Sequence, residues 1–360
     1  MHQNNDPSMN ADRRRRWLLR PVQPDDLQAL LAMAAASPDG INSLPEDEAK
    51  MRARIEASVR SFESPDDASG EETYLFVLED RLVNRLRGCS GIAARAGFSD
   101  RFYTYRNEFV VHANAELGVW RRMHTLNLCH DLAAATLLTS FYVDPKVDDP
   151  AAAQLLSRSR LLFIAAHPDR FADLIVAEHP GVTDVNGQSP FWDAVGRRFF
   201  QMDYAGAEAV VGARNKALIG DLMPMAPVYV ALLPPEAQWA LGQLHPLGEL
   251  PFSILMDEGF DADTYVDIFD GGPTVQASLQ SLRTVREAFE LEVEDVSVAT
   301  KPAWHIVIQP TRERFGATLA PIDRVDLALG AGPRLDTTDA AVIGAFPGDR
   351  VWAAPVGSES

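Results

Sequence analysis

The chain has 360 residues, 46% of them hydrophobic, and a formal net charge of −18. This length predicts one large or two ordinary domains around a full apolar core, and the acidic balance argues against nucleic acid as a partner. The two cysteines, Cys89 and Cys129, argue against a disulfide scaffold and form no cluster with histidines, so we expect a reduced, cytoplasmic setting and no metal. The longest apolar run, between residues 126 and 143, contains His130 and Asp131, which argues against a membrane span.

The first quarter of the chain has the patterns of a strand, two helices and a strand pair. Residues 1–16 are polar with a run of arginines, and we expect a disordered leader. Trp17–Pro21 then predicts a strand, and an amphipathic helix follows it. A second helix is predicted over Glu46–Phe62, and Tyr74–Leu78 with Leu86–Ala96 predicts an antiparallel pair of central strands.

The segment Phe98–Asn114 is rich in Phe, Tyr, Arg and Asn but has no clean periodicity. Ordinary loop packing is the prediction for it. The alternative is a hairpin that covers a site.

The stretch Leu137–Ile164 is the central unit of the chain. Leu137–Val143 predicts a buried strand, Asp149 is a suitable N-cap, and Pro150 suits the first position of the helix that follows. A strand, a tight loop and a helix N-terminus in this order commonly hold an anion, because backbone N–H groups converge at the positive end of the helix dipole.

The second half begins with a strand that ends at Glu178 and a helix capped by Ser189. Further helices are predicted over Ala207–Leu222 and Glu236–Leu244. A last helix begins by Ile254 and is followed by Gly259-Phe260 and then by a strand over Tyr265–Asp270. Beyond about residue 290 we expect a small β-rich unit, with strands over Trp304–Ile308, Arg324–Leu329 and Arg350–Ala353.

An ordered series of short stretches resembles the arginine N-succinyltransferases, members of the GNAT superfamily of acyl-CoA N-acyltransferases. The stretches are Arg20-Pro21, Asn42–Pro45, Phe76–Asp80, Phe98–Ala113, Ser157–Arg160, Ser189–Trp192, Gly196–Phe200, Asp221–Pro224, Gly242–Pro246 and Tyr265–Pro273. They cover residues 17–290 in register, and their sequences are most similar to the α subunit of the two-subunit arginine/ornithine form.

The resemblance implies an α+β, GNAT-like acyltransferase fold over residues 17–290. This fold could be duplicated, with a second acyltransferase-like unit within about 180–290. Residues 295–360 would form a β-rich appendage. The implied reaction moves succinyl from succinyl-CoA, the co-substrate, to the α-amino group of L-arginine or L-ornithine in arginine catabolism. No cofactor would be bound permanently. The expected assembly is a hetero-oligomer with a homologous β subunit, or a homo-oligomer.

Two positions take their expected roles from the resemblance. His245, in Gln243–Pro246, corresponds to the family's proton donor for the departing CoA thiolate. Phe141 corresponds to an acyl-CoA contact that is made through the backbone. His130 is the rival imidazole because it stands beside Asp131, although adjacent side chains usually point apart.

The remaining candidates follow from charge. Arg158 and Arg160 could pair with the succinyl group or the CoA phosphates, with solvated helix arginines as the alternative. A bidentate carboxylate would recognise the guanidinium of arginine, and the candidates near strand ends are Glu178, Asp267 and Asp270, which would otherwise be turn and cap residues.

One departure from the family concerns the loop at Asp148–Ala153. The single-chain relatives have a basic, glycine-containing loop there, whereas this chain has two carboxylates and three alanines. These carboxylates would repel a pyrophosphate, and the alanines would hold the backbone away from it. Two alternatives therefore stay open: a non-catalytic partner subunit that stabilises an active β subunit, and an N-acetyltransferase for another amine.

Overall fold

The computed structural model describes residues 15–37, 44–64, 68–98, 101–207, 222–294, 302–323 and 334–357. Several expectations lie outside these ranges: the leader up to residue 14, Asn42 and Ser43, all but the two ends of the helix expected over 207–222, and the strand expected over 324–329. Among the described helices, none has both the length and the apolar character needed to cross a bilayer.

Fifteen strands of the described chain join into one sheet. In chain order they are β1 Trp17–Pro21, β2 Thr73–Asp80, β3 Arg85–Ala93, β4 Thr104–Asn114, β5 Val119–Cys129, β6 Thr136–Val143, β7 Leu174–Glu178, β8 Val228–Tyr229, β9 Asp261–Val266, β10 Pro273–Ser278, β11 Phe289–Glu294, β12 Pro302–Gln309, β13 Gly316–Asp323, β14 Arg334–Asp336 and β15 Arg350–Pro355. Their order across the sheet is β14-β11-β15-β12-β13-β1-β2-β3-β6-β7-β10-β9-β4-β5-β8. The β6–β7 and β11–β14 pairs are parallel and the other pairs are antiparallel, so the sheet is mixed and largely antiparallel.

The α-helices that lie wholly within the described chain are α1 Leu27–Ala36, α2 Glu48–Glu63, α3 Pro150–Ala166, α4 Pro190–Ala194, α5 Gly196–Phe200, α6 Pro235–Ala240, α7 Glu249–Glu258, α8 Arg283–Arg286 and α9 Thr337–Ala340. The caps expected from the sequence are confirmed. The Asp149 side chain accepts the N–H of Ala151, and the Ser189 side chain accepts that of Trp192. Both contacts join near neighbours in the chain, so the local sequence is enough to specify them.

Helix α3 crosses one face of the sheet and is buried over most of its length. Its Phe163 ring packs against Phe62, Tyr74, Phe76 and Phe315, with ring centroids 4.9–5.7 Å apart. Helices α1 and α2 cover the other face, over Leu75, Val77 and Cys89. The strand and helix expected from Leu137–Ile164 are therefore present, as β6 and α3, and they pack in the main hydrophobic core.

The C-terminal strands continue the main sheet. β13 pairs with β1, and β11, which begins at Phe289, pairs with β14 and β15 of the tail. The tail is thus β-rich, as expected, and its hydrogen bonds run without a break into the N-terminal strand. A domain boundary near residue 290 stays a prediction.

Two local predictions are corrected. The segment Phe98–Asn114, expected to be a loop, contains strand β4, which forms a hairpin with β5. The alternative prediction of a hairpin is therefore correct, whereas its covering of a site stays a prediction. The strand expected over Tyr265–Asp270 ends at Val266. Its last residues turn instead, because an Asp267 carboxylate oxygen accepts the N–H of Phe269 at 2.6 Å.

Candidate active site

The parallel strands β6 and β7 separate part-way along their length. They pair only from Thr136↔Ile175 to Leu138↔Ala177. Beyond that point β6 follows β3 as far as Val143, whereas β7 follows β10 as far as Glu178. The separation leaves a wedge between residues 139–143 and the chain that follows Glu178, which we call the strand opening. Side chains and backbone groups from both strands can reach a ligand there.

A bulge shapes the β6 side of the strand opening. The register against β3 slips between Cys89 and Gly91, and Ser140 adopts a left-handed φ of 55°, unusual for a residue with a side chain. Arg54 donates to the hydroxyl of Ser140 from the α2 face, and the Cys89 thiol lies 3.3 Å from the Ser140 carbonyl oxygen. Burial raises the pKa of Cys89 to about 12, so it stays a thiol and is unsuited to act as a nucleophile.

Arg160 reaches the same bulge from α3. Arg160 is only 2% exposed. Its guanidinium donates to the Gly91 and Thr139 carbonyl oxygens, both at 3.4 Å, and lies 5.7 Å from the Phe141 ring centroid. Within the described residues no carboxylate pairs with it. Burial lowers its pKa to about 9, so it is still charged at neutral pH. The bulge therefore lies on a buried positive charge that lacks a counter-ion in the described chain.

Arg158, two residues earlier, has a different environment. Its Nε lies 2.9 Å from Glu258 Oε1, and a terminal nitrogen donates to the Val356 carbonyl. Its charge is thus already balanced inside the fold. Both arginines are buried, so the alternative of solvated helix arginines is wrong. The reasons differ: Arg158 is covered by Glu258 of α7 and by the chain at Val356, whereas Arg160 faces the carbonyls of β3 and β6.

His245 lies on the β7 side, beyond the end of that strand. Its backbone N–H donates to the Pro180 carbonyl oxygen at 2.8 Å, which ties it to the segment leaving β7. Its Nδ1 accepts the N–H of Leu247 at 3.2 Å, so the neutral ring carries its proton on Nε2. Burial lowers the pKa of this half-buried imidazole, and the ring is therefore neutral at pH 7.

His179 is a further candidate that the sequence did not single out. It follows Glu178 directly, is buried, and packs edge-on against Phe252 with ring centroids 5.3 Å apart. Its Nε2 has no hydrogen-bond partner in the described chain. Burial, assisted by the charge of Arg160, lowers its pKa to about 4. No sequence signal marked it, because a histidine at a strand end is ordinary until its burial is known.

The three carboxylate candidates differ in their partners. Asp270 accepts the N–H groups of Gly272 at 2.8 Å and Gly181 at 2.7 Å, and Asp267 holds the preceding turn through Phe269. Both are buried and match the turn-residue alternative. Glu178 is half-buried at the last position of β7, at the strand opening. The structure therefore brings Glu178, His179 and His245 to one side and Phe141 with Arg160 to the other.

The N-terminus of α3 already contains a carboxylate. Asp149 Oδ1 accepts the N–H of Ala151 and Oδ2 accepts the indole N–H of Trp17, each at 3.0 Å, and the residue is buried. Asp148 is different: its side chain is 78% exposed and pairs with Arg16 at 3.2 Å. The helix end that could cradle an anion is thus occupied by the protein's own cap.

His130 and Asp131 do not form a pair. The His130 ring packs on Tyr103 and its Nδ1 lies 3.2 Å from the Phe102 carbonyl oxygen, while Asp131 binds Arg106 and the Tyr265 hydroxyl. No group of acidic, His and Cys side chains in the described ranges is arranged to hold a metal ion.

Comparisons with known proteins all lead to arginine N-succinyltransferases. Residues 17–284 match the family model described as arginine N-succinyltransferase beta subunit. The Pseudomonas aeruginosa arginine N-succinyltransferase subunit alpha is 44% identical over 306 residues, which are 85% of this chain and 90% of that protein. The Shigella flexneri arginine N-succinyltransferase is 36% identical over 333 residues, 88% of this chain and 96% of that one.

A solved structure extends the likeness to the fold. The arginine/ornithine succinyltransferase subunit AI from Pseudomonas aeruginosa superposes with a TM-score of 0.84 at 42% identity, over 95% of this chain and 99% of that chain. The likeness therefore includes the C-terminal strands as well as the strand opening. On its sequence and its fold, the chain belongs to the arginine N-succinyltransferase family.

Proposed function

We propose that this chain transfers a succinyl group from succinyl-CoA to the α-amino group of L-arginine, with L-ornithine as an alternative acceptor, in the cytoplasmic breakdown of arginine. We further assign residues 17–290 to a GNAT-like fold, because β6, α3 and β7 form a parallel unit whose strands part at a bulge. The observation that carries the proposal is His245, held at the strand opening in a chain whose relatives bear the succinyltransferase name. Both cysteines are free, which supports the cytoplasmic setting.

The reaction needs one proton to move. The lone pair of the neutral amine attacks the thioester carbonyl, the C–S bond breaks, and the proton lost by nitrogen must reach sulfur. Since His245 begins neutral with its proton on Nε2, it can give that proton to the thiolate only as Nδ1 takes up the proton released by the amine. Taking up that proton requires Nδ1 to give up the 3.2 Å contact from Leu247 N–H, a long bond that costs little to break.

Arg160 is our candidate for the succinyl end of the donor. A succinyl group differs from an acetyl group in its distal carboxylate, and a buried guanidinium with no carboxylate partner in the described chain attracts such a group. Arg158 is a weaker candidate because Glu258 balances its charge. Phe141 would meet the acyl-CoA through its backbone, and Glu178 is the carboxylate that we assign to the arginine guanidinium.

Neutralising Arg160 should change which acyl group is preferred. We expect Arg160→Gln, which keeps amide donors for the backbone carbonyls, to lower the ratio of kcat/KM for succinyl-CoA to that for butyryl-CoA about 10- to 100-fold. Butyryl has the same number of carbons and no charge. Arg160→Lys should keep most of the preference. A ratio is insensitive to the fraction of folded enzyme, so an unchanged ratio in Arg160→Gln would remove Arg160 from acyl recognition.

The function itself is tested with the purified chain, succinyl-CoA and L-arginine. Thiol release should depend on the amino acid, and mass spectrometry should find N-succinylarginine in equal amount. L-Ornithine and acetyl-CoA are run in parallel to rank acceptor and donor. No thiol release above the rate without amino acid would refute catalysis by this chain alone.

One observation favours a second candidate, a non-catalytic subunit that supports a homologous active chain. Asp149 fills the helix end that would otherwise hold the CoA pyrophosphate, and its bond to Trp17 fixes it there. An assay of the chain with and without a homologous β subunit distinguishes the two candidates. In the mixture, the site of this chain is inactivated in one experiment and the site of the β subunit in another. Activity that survives only when the partner's site is intact identifies the non-catalytic role.

The two aspartates before α3 should respond differently to neutralisation. Asp148→Asn removes an exposed charge near the expected phosphates, and we expect CoA to bind about two- to fivefold more tightly in a calorimetric titration at low salt. Asp149→Asn should instead lower the unfolding temperature, since Asp149 is a buried cap. Glu236→Gln, an exposed acid at the start of α6, is the matched control and should change neither quantity. Weaker CoA binding by Asp148→Asn would contradict the repulsion argument.

A further inference from the structure

The side chain of His179 lies on the same face of the sheet as helix α3. Side chains alternate along a strand, and Ile175 and Ala177 of β7 both belong to the core that α3 forms. The backbone of His179 continues β7, because its N–H donates to the Pro273 carbonyl oxygen at 3.0 Å. Phe252, which the imidazole contacts edge-on, packs against the same core. The imidazole is therefore directed to the α3 side of the sheet.

His179 also lies within the strand opening. The last pair between β6 and β7 is Leu138↔Ala177, so His179 is two residues beyond the point where the strands part. Arg160 reaches the opening from α3 through its contact with the Thr139 carbonyl oxygen, one residue beyond that pair on β6. The charge of Arg160 contributes to the low pKa of the His179 ring, as expected of neighbours on one face.

Both side chains keep hydrogen-bonding capacity that the described chain does not use. Nε2 of His179 has no partner there, although the residue is only 6% exposed. The Arg160 guanidinium has five N–H groups and makes four hydrogen bonds there, two of them long at 3.4 Å, so at least one N–H is left over. Folded proteins leave few buried polar atoms unpaired, because each costs free energy. The two groups are together suited to a negatively charged acceptor.

The succinyl group of the proposed donor supplies such an acceptor. Its distal carboxylate has only acceptor oxygens, and its methylenes are apolar. The Phe252 ring beside His179 and the Phe141 ring, 5.7 Å from the Arg160 guanidinium, offer apolar contacts for those methylenes. Burial lowers the pKa of His179 to about 4, so at pH 7 the ring donates as a neutral group and Arg160 supplies the charge.

We propose that His179 binds the distal carboxylate of the succinyl group together with Arg160, the Nε2–H of His179 donating to one oxygen and the guanidinium to the other. This inference rests on the proposed function and deepens it, since it makes His179 a residue that determines the choice of acyl donor. Strand alternation directs Glu178 to the opposite face of β7. The carboxylate of the donor and the guanidinium of the acceptor would thus bind on different faces of the sheet.

The first test is acyl-donor selectivity. We expect His179→Leu to lower the ratio of kcat/KM for succinyl-CoA to that for butyryl-CoA about 10- to 100-fold, because it removes the donor and keeps an apolar contact for Phe252. His179→Gln, which places an amide N–H near the position of Nε2, should restore most of the ratio. An unchanged ratio in His179→Leu would overturn the proposal.

Two further variants sharpen this test. In an Arg160→Gln background, His179→Leu should have a smaller effect on the ratio, because both residues act on the same carboxylate. His167→Leu is the matched control and should leave the ratio unchanged. The His167 ring also packs on a phenylalanine, Phe163, but its Nδ1 lies 2.9 Å from the Phe163 carbonyl oxygen and it stands at the far end of α3.

The second test needs no turnover. Nitrogen NMR follows the histidine rings of the isotope-labelled chain, and the His179 signals are those missing from His179→Leu. Thioether analogues of succinyl-CoA and butyryl-CoA, which cannot transfer an acyl group, are the ligands. We expect the Nε2 signal to move with the succinyl analogue and not with the butyryl analogue.

The outcomes separate this inference from the proposed function. Equal movement with both analogues, or no movement while calorimetry shows that the succinyl analogue binds, would refute the role of His179 and leave the succinyl transfer standing. A chain that neither binds the analogues nor transfers succinyl would refute the proposed function, and the role of His179 with it.

Discussion

Replacing His245 with alanine is expected to lower kcat about 10²–10⁴-fold, roughly 3–5 kcal/mol of activation free energy. The imidazole moves a proton only as the C–S bond breaks, so its loss should leave KM for succinyl-CoA and L-arginine nearly unchanged. Steady-state kinetics with a thiol reagent measure both quantities. The assembly used must be one in which this chain supplies the working site.

Alanine also removes the cap contact to Leu247, so a second variant separates the two effects. His245→Asn keeps an acceptor at the N-cap position but cannot move a proton at neutral pH, and it should lose as much kcat as alanine. His130→Ala is the control, because that ring contacts Tyr103 and the Phe102 carbonyl and should leave kcat unchanged.

The pH dependence of kcat provides an independent readout. The neutral form of His245 is the active one, and burial lowers its pKa below the ordinary value of about 6.5. Activity should therefore hold as the pH falls past 6.5 and decline only as the pH passes through this lowered pKa. The decline should vanish in His245→Asn. If that variant keeps most of its activity, the assignment is wrong and His179 becomes the imidazole to test.

The elements that a local pattern could specify were predicted from the sequence. The cap at Asp149, the cap at Ser189 and the strand that ends at Val143 depend on residues a few positions apart. The environment of Arg160 could not be predicted in this way. Its partners include the Gly91 and Thr139 carbonyls, which belong to two different strands beside the bulge at Ser140. A bulge leaves no signature in apolar periodicity.

The β4–β5 hairpin illustrates a different limit. Strand prediction relies on alternation between a buried and an exposed face, and from residue 109 to 122 neither face is buried. The segment therefore had no periodicity to detect, and a loop was the natural prediction. His179 was missed for a related reason: its unpartnered Nε2 is a property of the packing around it, with Phe252 contributed from a distant helix.

The second large effect is expected at Glu258, the last residue of α7. Its side chain is completely buried and lies 2.9 Å from Arg158 Nε and 3.2 Å from Arg283, while it accepts the backbone N–H of Thr284 at 2.7 Å. It is thus the counter-ion that allows α3 to carry Arg158 into the core. We expect Glu258→Ala to lower the free energy of unfolding by roughly 3–5 kcal/mol, because the substitution leaves a buried guanidinium unpaired.

Chemical denaturation at pH 7 measures this change, and the chain offers a matched control. Glu287 also pairs with Arg283, at 3.8 Å, but its side chain is 43% exposed, so Glu287→Ala should cost about 0–1 kcal/mol. Glu258→Gln should fall between the two, since it keeps an acceptor for Thr284 but removes the charge. The Nε–H of Arg158 has no aligned hydrogen bond in the described chain, so charge rather than bond geometry holds the pair together. A Glu258→Ala variant as stable as Glu287→Ala would mean that water or a shifted backbone solvates Arg158, and that the pair does not anchor α3 to α7.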